Sequence, residues 1–169
     1  MSVLFFCTAA VSSLVDPVHP RWENISTQVW TTSEGWTDAW ERKSWTSPIM
    51  AWNVNPWGKL ASGDAWIEYS VYSAGSGWTE WTKWGNAAGW NQEGNWISAV
   101  RMRVHGDAGS WGLRYRIKPL SMNPDRAWSA WAKAEVFTDW STSGEVAGKA
   151  IDDPVWGIAQ IEVEMQKTE

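Results

Sequence analysis

The chain has 169 residues, enough for one domain with a sizeable core. A formal net charge of −5 and a pI near 5.1 argue against a nucleic-acid binder, which needs a basic stripe to neutralise phosphates. No run of about 18 apolar residues offers a membrane-spanning helix, and 18 Trp against 3 Tyr and 3 Phe make indole the dominant aromatic group.

The opening MSVLFFCTAAVSSL is apolar but has no Lys or Arg before it. It is expected to belong to the fold, with no recognisable signal peptide. Synthesis in the cytoplasm or release by a leaderless route follows, and action outside the cell is left open. Cys7 is the single cysteine, so no internal disulfide forms. Asn24 begins a glycosylation sequon that matters only on a secretory route.

Next come the strands. Apolar and polar residues alternate with period two over Ile67–Val71, Val100–Val104, Leu113–Ile117 and Ile161–Met165, the pattern of half-buried strands. Gly-, Ser- and Asn-rich segments separate them, and no apolar stripe of period 3.6 runs for any length. The expected class is all-β.

Trp22, Trp66 and Trp111 each open such a strand, at spacings of 44 and 45 residues. Trp36 with Trp40, Trp78 with Trp81, and Trp128 with Trp131 form a second series, 42 and 50 residues apart. Ala88-Gly89 before Trp96 and Ala147-Gly148 before Trp156 form a third. An insertion near Ala134 to Ser143 accounts for the longer last offset. Three units, approximately 22–65, 66–110 and 111–165, therefore make a single domain of supersecondary repeats. A pseudo-threefold β-prism of three small sheets is the first expectation, a β-trefoil the second and a β-sandwich the third. The closing strand of the first unit falls at Ile49 to Val54 or at Ser2 to Cys7.

Charge predicts the pairing. Arg101 and Arg103 cannot comfortably face Arg114 and Arg116, because like charges directly opposite destabilise a sheet. Glu162 and Glu164 are better partners for the second pair, and Glu68 for the first. The first and last strands of each unit are thus expected to be neighbours, and the basic cluster, with Lys118, to be a balanced surface.

The stretch IEYSVYSAGSGWTEWTKWGNAAGWNQEGNWISAVRMRV, residues 67–104, resembles the clostridial hydrophobic repeat with a conserved tryptophan. Its marks there are Tyr69, Gly77-Trp78, Trp81, Gly85, Ala88-Gly89, Gly94 and Ala99 to Val104. The last unit is similar more loosely, through Tyr115, Trp128, Trp131, Gly144, Ala147-Gly148 and Ala159 to Met165, with Ala127 in place of the first Gly. The first unit matches poorly. The resemblance implies a non-catalytic module of a secreted or surface protein, used in groups of three, in contact with cell-surface polysaccharide.

Catalytic and metal-binding patterns do not stand out. His19 and His105 lie in loop-like contexts without chelating spacing, and no G-x-S-x-G, phosphate loop or calcium loop occurs. Asp152-Asp153 beside Pro154 is read as a polar turn, and nothing selects a glycosidase pair among the 19 acidic residues. The expectation is no enzyme, no metal and no cofactor.

Function then rests on surfaces. Tryptophans that recur in every unit are expected to build the core. Trp45, Trp57, Trp84, Trp90 and Trp140 lack counterparts and are the candidates for exposed rings. A sugar site needs such a ring beside hydrogen-bonding side chains, which Trp90 has in Asn91, Gln92 and Glu93, and Trp140 in Asp139. The leading expectation is a lectin-like protein, with a defensive role in view, binding glycans or cell-surface polysaccharide through weak sites strengthened by multivalency. One alternative is a membrane-active β-rich toxin, since indole favours the headgroup region. The other is a structural or self-assembling module with Trp contacts. Membrane contact and oligomer formation are left open.

Overall fold

The computed structural model describes residues 25–39, 41–42, 47–56, 61, 65–90, 95–106, 111–122, 131–134, 137–152 and 156–167. Cys7, His19 and the alternative strand Ser2 to Cys7 lie outside them, as do Trp22, Trp40 and Trp128. The described chain is all-β, in three sheets.

The first sheet contains β1 (Ile25–Thr31), β2 (Gly35–Asp38) and β3 (Ala51–Pro56), with β1 between the other two. β3 realises the Ile49 to Val54 expectation. The second sheet is built on β4 (Trp66–Ser73) and β8 (Ile97–His105), with the short β5 (Gly77–Trp78) and β6 (Thr82–Lys83) on the free side of β4. The third is built on β9 (Trp111–Met122) and β13 (Trp156–Lys167), with β10 (Trp131–Ala134) and β11 (Ser141–Thr142) on the other side of β9. The two remaining strands change sheets. β7 (Ala88–Gly89) follows the second sheet's edge strands yet pairs with β3, and β12 (Val146–Gly148) likewise reaches back to β8.

The long pairs β1–β3, β4–β8 and β9–β13 are the expected neighbours, and in the last two the charges meet across the strands. Glu68 faces Arg103, Glu162 faces Arg116 and Glu164 faces Arg114. Their inward faces meet in one cluster, with Ile25 and Val29 from the first sheet, Ile67 and Val71 from the second, and Leu113 and Val163 from the third. Burying such aliphatic side chains contributes roughly 1.5–3 kcal/mol each.

The sheets are also joined by backbone bonds. The amide of Ile97 donates to the carbonyl of Ile49 (2.8 Å), and that of Ile49 donates to Ile158 (2.9 Å). All three side chains are fully buried. Tyr69 accepts the amide of Val54 (3.1 Å) and donates to the carbonyl of Asn86. Tyr115 treats Met102 (3.1 Å) and Glu145 in the same way. Burial pushes both phenols up to about 12, so they stay protonated and able to donate. Each tyrosine thus ties its own sheet to an edge of the preceding one.

Glycine is required where β7 and β12 dock. Gly89 has a φ of 103° and Gly148 one of 100°. A Cβ on Gly89 would lie 2.5 Å from the Met50 carbonyl oxygen, and one on Gly148 would run into that of Ser98. The residue after each glycine then donates to that same carbonyl, Trp90 to Met50 and Lys149 to Ser98, both at 2.9 Å. On the third sheet the bulged Ala159 carbonyl receives instead the guanidinium of Arg42, whose side chain is fully buried. Arg42 also donates to Ser47 and faces Glu34, while desolvation by burial lowers its pKa.

Candidate functional site

The segments after β4 and before β11 form equivalent straps across the outside of their sheets. The amide of Val71 donates to Thr79 Oγ1 (3.2 Å), and the amide of Thr79 donates to the Val71 carbonyl (2.9 Å). Ile117 and Thr138 repeat both bonds at 3.2 and 2.9 Å. Thr79 therefore corresponds to Thr138, Trp78 to Phe137, and Trp81 to Trp140. This corrects the alignment of Trp78 and Trp81 with Trp128 and Trp131. Ile117 and Thr138 are 21 residues apart where Val71 and Thr79 are 8 apart, so the extra length precedes the strap. The insertion therefore ends before Thr138, and residues 138–143 are not part of it.

On the second sheet, strand alternation turns Arg101, Arg103 and His105 outward on β8, with Trp66, Glu68 and Tyr72 on β4 beside them. The strap lays Trp78 and Trp81 over this row. The Arg101 guanidinium carbon lies 4.3 Å from the Trp78 ring centre and 4.5 Å from that of Trp81. That of Arg103 lies 4.0 Å from Trp81. Such contacts contribute about 0.5–2 kcal/mol each. Ser70, buried and bonded to the Thr79 carbonyl at 2.9 Å, is small enough for the strap to close over it.

Carboxylates fix the rest of the row. Glu68 Oε2 accepts from Arg103 (2.7 and 2.9 Å) and lies 2.8 Å from His105 Nε2. The Arg103 bond and, with it, His105 hold the Glu68 carboxyl below its ordinary 4.5, against some desolvation. His105 is thus a strand residue in contact with a carboxylate, not a loop histidine, and its ring stacks on Trp66 at 5.2 Å. Lys83 lies 5.4 Å from the same indole. At the far end Asp152 accepts from the Tyr72 hydroxyl (2.6 Å) and the Gly75 amide (3.2 Å), which hold its carboxyl below 3.8. Tyr72 meets the Trp78 edge at 5.5 Å.

Arg101 differs from its neighbours. It stands opposite Ser70, where β4 offers no carboxylate. No described residue makes a hydrogen bond or ion pair with its guanidinium, and its Nε is buried without a partner. An unsatisfied buried donor costs about 1–3 kcal/mol. The basic cluster is therefore not fully balanced.

The third sheet carries the same arrangement with every arginine paired. Arg114 and Arg116 lie 4.4 and 4.3 Å from the Trp140 ring centre, and Arg116 lies 4.5 Å from that of Phe137. Lys118 adds a contact to Phe137 at 4.7 Å. Arg114 is bonded to Glu164 and Arg116 to Glu162, carboxylates whose side chains are 8% and 7% exposed.

These positions overturn part of the sorting by repetition, which holds for Trp111 against the core and Trp90 at the surface. Trp78 and Trp81, expected in the core, are half-buried on an outer face, and Trp36 is 43% exposed. Trp84, expected at the surface, packs against the core, as Trp111 does, and Trp52 is fully buried. The cause is the strap, which crosses the outside of the sheet and so repeats its rings there. Trp90 is 45% exposed, as expected, and sits beside β7. Trp140 is half-buried against the arginines, and Asp139 is exposed but makes no ring of polar groups with it. Trp45, Trp57, Asn91, Gln92 and Glu93 lie outside the described residues, as does Trp131's side chain.

The sequence hid the row because its parts are distant in the chain. Outward alternation on β8, read together with the GWTEW strap, is the signal that could have found it. Among the described residues no cluster of three or more His, Cys, Asp or Glu could hold a metal ion, and no helix is long and apolar enough to cross a membrane. No family model, curated protein or solved structure matches the chain.

Proposed function

We propose that the chain is a non-catalytic, lectin-like carbohydrate-binding protein, built from three related units as a pseudo-threefold β-prism. The prism reading is supported by the three long antiparallel pairs around one core and by β7 and β12, each passing from one sheet to the preceding one. The functional reading is carried by one observation: the outer row of the second sheet, where Trp66, Trp78 and Trp81 are held half-exposed among Glu68, Arg101, Arg103 and Asp152.

A pyranose offers an apolar C–H face and a rim of hydroxyls. Indole takes the first, and ionised carboxylates and guanidiniums take the second by charge-assisted hydrogen bonds. The rings are fixed by the Thr79 clasp and by cation contacts, so little side-chain entropy is lost on binding. Glu68 and Asp152 are held ionised, which suits them to accept from hydroxyls. This surface suits the polysaccharide contact that the resemblance implies.

Tryptophan fluorescence during titration with a panel of neutral and acidic oligosaccharides, and with liposomes, tests the reading. A shift with sugars that disappears in Trp81→Ala, at unchanged far-ultraviolet circular dichroism, is the expected result. A response to liposomes alone transfers the function to membranes. No response to either, with concentration-dependent light scattering, favours an assembling module.

A further inference from the structure

We propose that Arg101, with Trp78 and Trp81, forms a receptor for an oxyanion carried on a pyranose: the carboxylate of an acidic sugar or a sulfate ester. The inference rests on the carbohydrate reading and narrows it to acidic glycans.

Four arginines point outward in the two rows. Arg103, Arg114 and Arg116 each meet a glutamate across the strand pair. Arg101 meets Ser70 instead, and the hydroxyl there is committed to the Thr79 carbonyl. On its other side β12 places Val146 opposite it, an apolar residue. Glu80 lies between the two indoles in the chain, but it is exposed and forms no ion pair among the described residues. The cation has aromatic neighbours at 4.3 and 4.5 Å and no anion among the described residues.

That combination suits a ligand that brings the anion itself. A guanidinium presents its donors in one plane, in a fork that matches two oxygens of a carboxylate or sulfate. Ring contacts hold the fork in place without using those donors. An inorganic anion would satisfy the fork but leave the indoles unused. A neutral sugar would use the indoles and leave the charge unanswered. An acidic pyranose does both, with its anion at Arg101 and its C–H face on Trp78 or Trp81. The overall charge of −5 opposes such a ligand only at long range, where salt screens it.

The probes are a trigalacturonate, a sulfated galactose trisaccharide and the neutral galactose trisaccharide, titrated by fluorescence and calorimetry at physiological salt. The expected result is that at least one anionic probe binds about tenfold or more tightly than the neutral one, the scale of one charge-assisted contact. Arg101→Gln is expected to remove that preference, bringing the anionic probe down to the affinity of the neutral one, while near-ultraviolet circular dichroism stays as it was and the melting temperature changes little. Arg101→Lys, which keeps the charge and loses the fork, is expected to fall between. The two anionic arms tell carboxylate from sulfate ester. Equal affinity for neutral and anionic trisaccharides, or an anionic preference untouched in both Arg101 variants, overturns the receptor and leaves the carbohydrate reading standing. Inorganic sulfate binding as well as any anionic sugar overturns the assignment to a pyranose and the carbohydrate reading with it.

Discussion

On the third sheet, Arg114 and Arg116 rise from β9, lie against Trp140 and end on Glu164 and Glu162. On the second, Arg101 and Arg103 rise from β8, lie against Trp81 and have one carboxylate, Glu68, between them. The straps, the threonine clasp and the aromatic cover are shared. What differs is the count of acids on the facing strand, where β13 presents two glutamates and β4 presents one glutamate and a serine. A common frame thus carries a closed, self-satisfied surface on one side and an open one on the other. The closed face fits a structural role, and the open face is where binding energy remains to be gained.

The largest effect should come from breaking the frame under the open face. Gly148→Ala forces a Cβ into the Ser98 carbonyl at a φ of 100°. Strain and overpacking together should cost about 3 kcal/mol. Because β12 forms the edge beside β8, chemical denaturation should show the loss as a lowered midpoint, and an unchanged midpoint would mean that β12 does not dock as described.

Next in size is Arg116→Gln. It leaves the Glu162 carboxylate, 7% exposed, without its cation. A loss of about 1–3 kcal/mol is expected. The double variant Arg116→Gln with Glu162→Gln should recover part of it, and a double-mutant cycle showing no coupling would remove the pair from the account of the third sheet.

How much of this contrast could be read from residues alone follows from what each feature depends on. The strands were legible because alternation is local, and the pairing of β9 with β13 was legible because four charges demanded it. The crossing of β7 and β12 was not, since two-residue strands carry no period and only the glycine φ values betray the close approach. Tryptophan location failed for a related reason. Repetition marks a shared environment, and in this fold that environment is the outside of each sheet, so Trp81 and Trp140 repeat as surface rings while the unmatched Trp84 packs, partly buried, against the core. Arg101 stands in the sequence as one of five similar cations, because its lack of an anionic partner among the described residues depends on one register position, Ser70.

Acid should separate the two faces more gently. Glu68 titrates below its ordinary 4.5 in the folded chain because Arg103 and His105 favour its charged form. A depressed carboxyl pKa adds stability that is complete above the unfolded value and is lost as pH falls through the folded one. The melting temperature should therefore decline below pH 4.5, together with the Asp152 contribution, which behaves alike below 3.8. Glu68→Gln should flatten part of this acid limb, and an identical limb in the variant would show that the decline originates elsewhere.

The smallest effect on stability is expected at Arg101 itself, and it is the sharpest test of the contrast. Arg101→Gln forfeits two ring contacts, about 0.5–1 kcal/mol each at half-exposed sites. It also removes a buried Nε that has no acceptor, a cost of about 1–3 kcal/mol to the native chain. The two contributions oppose each other, so the melting temperature should move little and in either direction. The chemically identical change at Arg116 should lower it plainly. A matched pair of variants, one silent and one damaging, is what an open face and a closed face require. Equal losses at both positions would mean that Arg101 has an anionic partner after all, and that the second sheet is as self-satisfied as the third.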